Sequence, residues 1–216
     1  MGWDFAAQIH ALTGFDADDD SSTTETGEVF STMATQWLTD AAKEVINVLP
    51  PHLLKLCTSE VSFTSQAVGS ESSASLLNTG KVLAVFAGNY QARPISSELK
   101  HKANDSNSLE YASTTDPVFY IENNYLNVLP ASITCKYEEV QYPSVEYSST
   151  TILVFPDEAE SLVVLRAAIT ALEYQLAIEE DVDLYNQMIA NLRAEYLYGV
   201  NALKTGDLVR PQAQQK

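Results

Sequence analysis

Two neighbouring stretches late in the chain repeat apolar residues at the spacing of a helical seam, and this limits the fold more than any other feature. In FPDEAESLVVLRAAITALEYQLAIEED, Leu162, Leu165, Ile169, Leu172 and Leu176 alternate steps of three and four, which sets them on one stripe of an α-helix. Pro156, Asp157, Glu158 and Glu160 precede or open that run, where a proline is tolerated and carboxylates complement the positive end of the helix dipole. Val182, Tyr185, Ile189, Leu192, Tyr196, Val200 and Leu203 follow the same rule, and Gly206 stands where a helix would stop. A short acidic break, Glu179, Glu180, Asp181 and Asp183, joins the runs. The expectation is an antiparallel helical hairpin packed through Leu162, Leu165, Ile169, Leu172, Leu176, Leu192 and Tyr196.

Helical spacing also appears upstream. Phe30, Met33, Ala34, Trp37, Leu38, Ala41, Val45 and Val48 continue over about five turns until Pro50 and Pro51 end the run. Residues 3 to 14 read as a short amphipathic helix with Phe5, Ile9 and Leu12 on one face. The string DADDDSSTTET after it reads as an exposed acidic linker. Between 59 and 154 the period changes to two, in VSFTSQAV, KVLAVFAGNYQARPI, PVFYIENNYLNVLP and SITCKYEEVQYPSV. Asn123 and Asn124 between FYIE and YLNV predict a tight hairpin with a type I′ turn.

The predicted fold is therefore α+β: a helical bundle, built of a long N-terminal helix and a C-terminal antiparallel hairpin, carrying an inserted antiparallel β module of four to six strands. The expected divisions are 1–27 for the short helix and linker, 28–58 with 155–205 for the helical domain, 59–154 for the β domain, and 206–216 for a polar tail.

The chain has 216 residues and is 45% apolar, enough for a normal core. It carries 29 acidic against 12 basic side chains, a net charge of -17. Non-specific nucleic-acid binding needs clustered Lys and Arg, so this balance argues against it. The charge is also polarised. Residues 1 to 29 hold seven acidic and no basic side chains, whereas the last thirteen carry Lys204, Arg210 and Lys216 against Asp207 alone. The N-terminus lacks the basic start of a signal peptide, Ala6 stands where myristoylation wants Ser or Thr, and no apolar run nears the roughly 18 residues of a membrane span. A soluble protein without a membrane partner, in the cytoplasm or assembled there, is expected.

Chemistry-bearing patterns are sparse. Cys57 and Cys135 lack zinc or redox spacing and read as reduced core residues. The three histidines, His10, His52 and His101, stand apart in sequence, and no nucleophile elbow, phosphate loop, zincin or dinucleotide motif is present. Asp16 to Asp20 lacks the glycine and distant Glu of an EF-hand. The expectation is a non-enzymatic chain with no catalytic residues, no metal and no cofactor. Eleven tyrosines suit core edges and interfaces.

Three strings, NVLPPHLL, LEYASTTDPVFYIENNYLNVLPA, and YPSV followed by FPDEAESLVVLRAAITAL, lie between Asn47 and Leu172. They are similar to virion structural proteins of marine tailed bacteriophages, including those of cyanobacteria, and the resemblance covers roughly residues 28 to 177. The order of helix, β insertion and hairpin resembles the adaptor subunits of phage head-to-tail connectors. That resemblance implies a homo-oligomeric ring of about twelve copies beneath the portal, in the virion and assembled in the host cytoplasm, with DNA passing through without specific binding. Its partners would be the portal protein, a tail, nozzle or stopper protein, and further copies of itself. Leu208, Val209, Arg210 and Pro211 would form a portal-binding tail. Glu179, Glu180, Asp181 and Asp183, repeated around such a ring, would line the DNA channel with negative charge. The alternative is another neck, tail-completion (stopper) or capsid-associated virion protein, with a hydrolytic enzyme as the contrasting class.

Overall fold

A computed structural model of the chain describes residues 3–14, 27–68, 74–76, 81–177 and 182–205. Its elements begin with helices α1 (Phe5–Thr13), α2 (Gly27–Val48) and α3 (Pro51–Leu54). The strands β1 (Thr58–Thr64), β2 (Ala74–Ser75), β3 (Val82–Ala87), β4 (Tyr90–Gln91) and β5 (Arg93–Pro94) follow. A short helix α4 (Lys100–Ala103) leads to β6 (Val118–Glu122), β7 (Tyr125–Leu129) and β8 (Thr134–Val140), and the long helices α5 (Asp157–Leu176) and α6 (Val182–Thr205) complete the order. The chain divides into two compact units, one of residues 1–57 with 142–216 and one of residues 58–141.

In the first unit, local chemistry sets the helix ends. The Asp4 carboxylate accepts the Ala7 N–H at 2.8 Å to open α1, and Gly14 closes it with φ +77°, a conformation that costs glycine little. Pro50 stops α2, since proline cannot donate to the helical ladder. The core forms around α5, which packs against α1, α2 and α6. Phe5 and Ile9 of α1 and Leu38, Val45 and Ile46 of α2 are fully buried with it. The Trp37 and Tyr174 rings meet at 5.6 Å between centroids.

The segment from Tyr142 to Pro156 is a strap rather than a strand. Thr39 Oγ1 accepts the Val145 N–H at 3.1 Å, and Thr35 Oγ1 accepts the Tyr147 N–H. The Tyr147 and Ser149 carbonyls accept the Ala6 and Phe5 N–H groups at 2.8 and 2.9 Å. Thr35 and Thr39 lie one helical turn apart on α2, so their hydroxyls pin successive parts of the strap. Backbone groups that would otherwise be orphaned are thereby satisfied.

In the second unit, the eight strands among the described residues form two four-stranded sheets, ordered β1-β8-β3-β4 and β2-β7-β6-β5. Alternation places Val85 and Ala87 of β3, Cys135 and Tyr137 of β8, and Leu126 and Val128 of β7 in one shared core. Asn123 and Asn124 turn β6 into β7 with φ of 52° and 64°, the two positive angles that a type I′ turn requires. The opposite face of β6, Val118 and Tyr120, is covered by Ala103 of α4 and by Ala112. Lys100 holds that cover down through an ion pair with Glu122 at 2.7 Å.

The expectation of a helical bundle with an inserted antiparallel β module is corrected here. The β part is two full sheets, and β5 pairs with β6 in parallel, Arg93 opposite Val118 and Pro94 opposite Phe119. Strands β2, β4 and β5 are two residues each, too brief to show a period. The parallel pair depends on a crossover through α4, which a periodicity reading does not register.

Candidate subunit interface

Helices α5 and α6 carry the residues singled out in the sequence. Leu162, Leu165, Ile169, Leu172 and Leu192 are buried, while Leu176 and Tyr196 are half-buried at the rim. Small residues let the pair approach closely. A Cβ at Gly199 would overlap the Leu162 side chain, so α6 crosses the first half of α5 at a position only glycine fits without rearrangement.

Beside this seam lies a charged network that the sequence reading missed. Arg166 Nε of α5 donates to Glu44 Oε2 of α2 at 2.7 Å, and Arg166 Nη1 donates to Thr170 Oγ1 at 3.3 Å. The Tyr196 hydroxyl of α6 donates to the other Glu44 oxygen at 3.4 Å, and Arg193 pairs with Glu173. Burial is the largest single influence and works against the Arg166 charge, but the bond to Glu44 together with the negative charges of Glu44 and Glu173 outweighs it and holds the guanidinium pKa above its ordinary value. Burial, then the negative Glu44, pushes the Tyr196 phenol up to about 12, so it stays protonated as a donor. The signal was Arg166 itself, the one basic residue of α5.

The cleft over this network measures about 240 Å³, below the roughly 300–1,000 Å³ of ligand pockets. Its arginines are already paired. A second cleft of about 430 Å³ runs beside Trp3, Asp4, Ala7, His10 and Ala11, and its one carboxylate is occupied in capping α1. Neither brings unpaired polar groups together as a catalytic site requires.

The outer side of α6 is different. Leu184, Ala190, Ala194 and Tyr198 fall on the face opposite the inner seam, interleaved with Gln187 and Asn191, with Leu197 at its border beside the Arg193–Tyr196 cleft, and all seven are exposed. Leu184 is 53% exposed, Leu197 59% and Tyr198 73%. Helix α6 thus has one face filled by α5 and a second, uncharged from Leu184 to Tyr198 and without a partner among the described residues. The exposed apolar side chains on a helix anchored by its other face make this the candidate interaction surface. The absence of charge along that face was present in the sequence and was masked by the stronger inner seam.

Asp183 is exposed in the first turn of α6. Its companions Glu179, Glu180 and Asp181 lie outside the described residues, as do Leu208, Val209, Arg210 and Pro211 and the acidic stretch from Asp16 to Thr26.

The remaining chemistry-bearing groups are scattered. His10 is on α1, His52 on α3 and His101 on α4. Among the described residues no three His, Cys, Asp or Glu stand close enough to hold a metal ion. Cys57 and Cys135 are buried free thiols, and burial pushes Cys57 up to about 11 and Cys135 upward, the reverse of what a nucleophilic thiolate needs. No described helix is long and apolar enough to cross a membrane. No protein-family model and no curated protein matches this chain.

Proposed function

We propose that this chain is a non-enzymatic structural subunit of a tailed phage's head-to-tail connector, an adaptor closing into a ring of about twelve copies beneath the portal and around the DNA channel. The observation that carries the reading is the unpartnered outer face of α6, with Leu184, Leu197 and Tyr198 exposed on a helix anchored by its other face. A monomer has no need of such a face, whereas lateral packing of identical copies supplies its cover. The net charge of -17 supports a channel through which DNA passes without sticking. Asp183 would belong to that acidic lining together with Glu179, Glu180 and Asp181.

The test is the mass of the purified protein by native mass spectrometry, with imaging of the same sample. A closed ring of about a dozen copies that binds portal assemblies supports the adaptor reading. A monomer at high concentration contradicts it. Removing residues 207–216, which include Leu208, Val209, Arg210 and Pro211, is expected to leave folding unchanged and abolish portal docking; retained docking removes the tail from the account. A stopper or capsid-associated protein is the alternative, and copy number per particle separates them, since decoration needs hundreds.

A further inference from the structure

An edge strand leaves the N–H and C=O of every second residue without a ladder partner, and this makes sheet edges a place where chains join. Among the described residues the two sheets end in β1, β4, β2 and β5. The last three are two residues each, and β5 ends in Pro94. Brevity and proline both keep an edge from pairing. Strand β1 has neither: it runs seven residues without Lys or Pro, in unbroken register with β8 from Thr58 to Thr64. The ladder shows which of its groups face outward. The Thr134 carbonyl accepts from the Gly88 N–H and the Val140 N–H donates to the Lys81 carbonyl, so the even-numbered residues of β8 face β3. Its odd-numbered residues therefore face β1, where their partners are Ser59, Val61 and Phe63. Glu60, Ser62 and Thr64 turn their N–H and C=O groups away from the sheet. Val61 and Phe63 are only half-buried at the rim of the core, and a further strand would cover them.

We infer that β1 of one copy adds to β1 of a second, antiparallel about a two-fold axis at Val61, joining two four-stranded sheets into one of eight strands. The strand is complementary to itself. With the axis at Val61, the middle of Thr58–Thr64, no residue overhangs, and Glu60 and the partner's Ser62 turn their outward groups toward one another. Charge selects the same register. Glu60 faces a small hydroxyl, beyond which stands the partner's Lys136, the cross-strand neighbour of that serine. An axis at Glu60 would instead set two carboxylates opposite each other. Val61 meets its own copy across the axis and covers the rim. The contact lies in the second unit and needs only two copies, so it does not rest on the proposed ring.

Sedimentation velocity of the full chain across a concentration series tests the pairing. The wild type is expected to form a dimer. Ser62→Pro removes an outward N–H and no bond to β8, a place where an edge strand tolerates proline. Ser62→Glu sets a carboxylate beside Lys136 within the monomer but opposite the partner's Glu60 in the pair. Each is expected to raise the concentration for dimer formation by at least about tenfold with an unchanged circular dichroism spectrum, while Tyr198→Asp leaves the dimer in place. Val61→Cys is expected to give a disulfide-linked dimer with oxidised glutathione, because opposed residues that exchange no hydrogen bonds hold their Cα atoms about 4.5 Å apart, within disulfide reach. A dimer lost in Tyr198→Asp and indifferent to both Ser62 variants overturns the inference and leaves the ring reading standing. A Ser62→Pro chain that dimerises normally yet fails to enter assembled particles overturns it in favour of a strand from another protein. A wild-type chain that stays monomeric overturns the pairing and the connector reading together.

Discussion

Helices α5 and α6 share the same heptad-spaced inner seam and end in opposite situations. Of the 20 residues of α5, ten are buried; among the described side chains of α6, four are, namely Ile189, Leu192, Val200 and Leu203. The difference lies between the seam positions. In α5 these are Ala159, Val163, Val164, Ala167, Ala168 and Ala171, small or apolar residues that let α1, α2 and α6 close on it together. In α6 they mix Asn186, Asn191, Arg193 and Glu195 with Leu184, Leu197 and Tyr198. A seam therefore identifies a helix that packs, and the residues off the seam decide on how many sides. The stability of this unit is concentrated in α5, and the surface left for partners is on α6.

The largest test of that contrast replaces one leucine on each helix. Leu172→Ala in α5 is expected to lower unfolding free energy by about 2–5 kcal/mol, whereas Leu197→Ala on the outer face of α6 stays within about 0.5 kcal/mol. Urea titration of the monomeric protein measures both, and equal losses would break the contrast. Gly199→Ala should follow at about 1–3 kcal/mol, because Leu162 must move to admit the methyl group. A neutral result would mean the two helices pack less closely than described. Glu44→Gln removes the negative charge and one of the two acceptor oxygens that Arg166 and Tyr196 share, and since Glu44 is half exposed the loss is expected at about 0–1 kcal/mol and smaller in high salt. A salt-independent loss would count against the ion pair.

The smallest expected effect concerns alkaline pH. The Tyr196 phenol titrates near its ordinary 10 when unfolded and at about 12 in the folded chain. Its contribution is fully present below pH 10 and is lost as pH rises toward 12, because the unfolded state releases its proton first. Tyr196→Phe should therefore flatten the alkaline decline in thermal midpoint, and an unchanged decline would assign it to other groups such as Cys57.

The inner seams were readable because burial on one side of a helix enforces its period, and Leu162, Leu165, Ile169, Leu172 and Leu192 stand where that period puts them. The Asn123–Asn124 turn was readable because few residues accept two positive φ angles. Other features carried no such imprint. The YPSV strap has strand-like composition, yet its N–H groups meet the Thr35 and Thr39 hydroxyls, more than a hundred residues away in sequence. The parallel pairing of β5 with β6 needs only two residue pairs. The Glu44–Arg166–Tyr196 network depends on three helices meeting. These are tertiary consequences, absent from any local window.

The central claim, that the outer face of α6 is covered by assembly, is tested most directly by hydroxyl-radical footprinting of the protein below and above its association concentration. Leu184, Leu197 and Tyr198 should label strongly in the monomer and lose most of that labelling on assembly, while the exposed Leu109 of the other unit keeps it. An assembled particle in which the three α6 residues label as in the monomer would contradict the account.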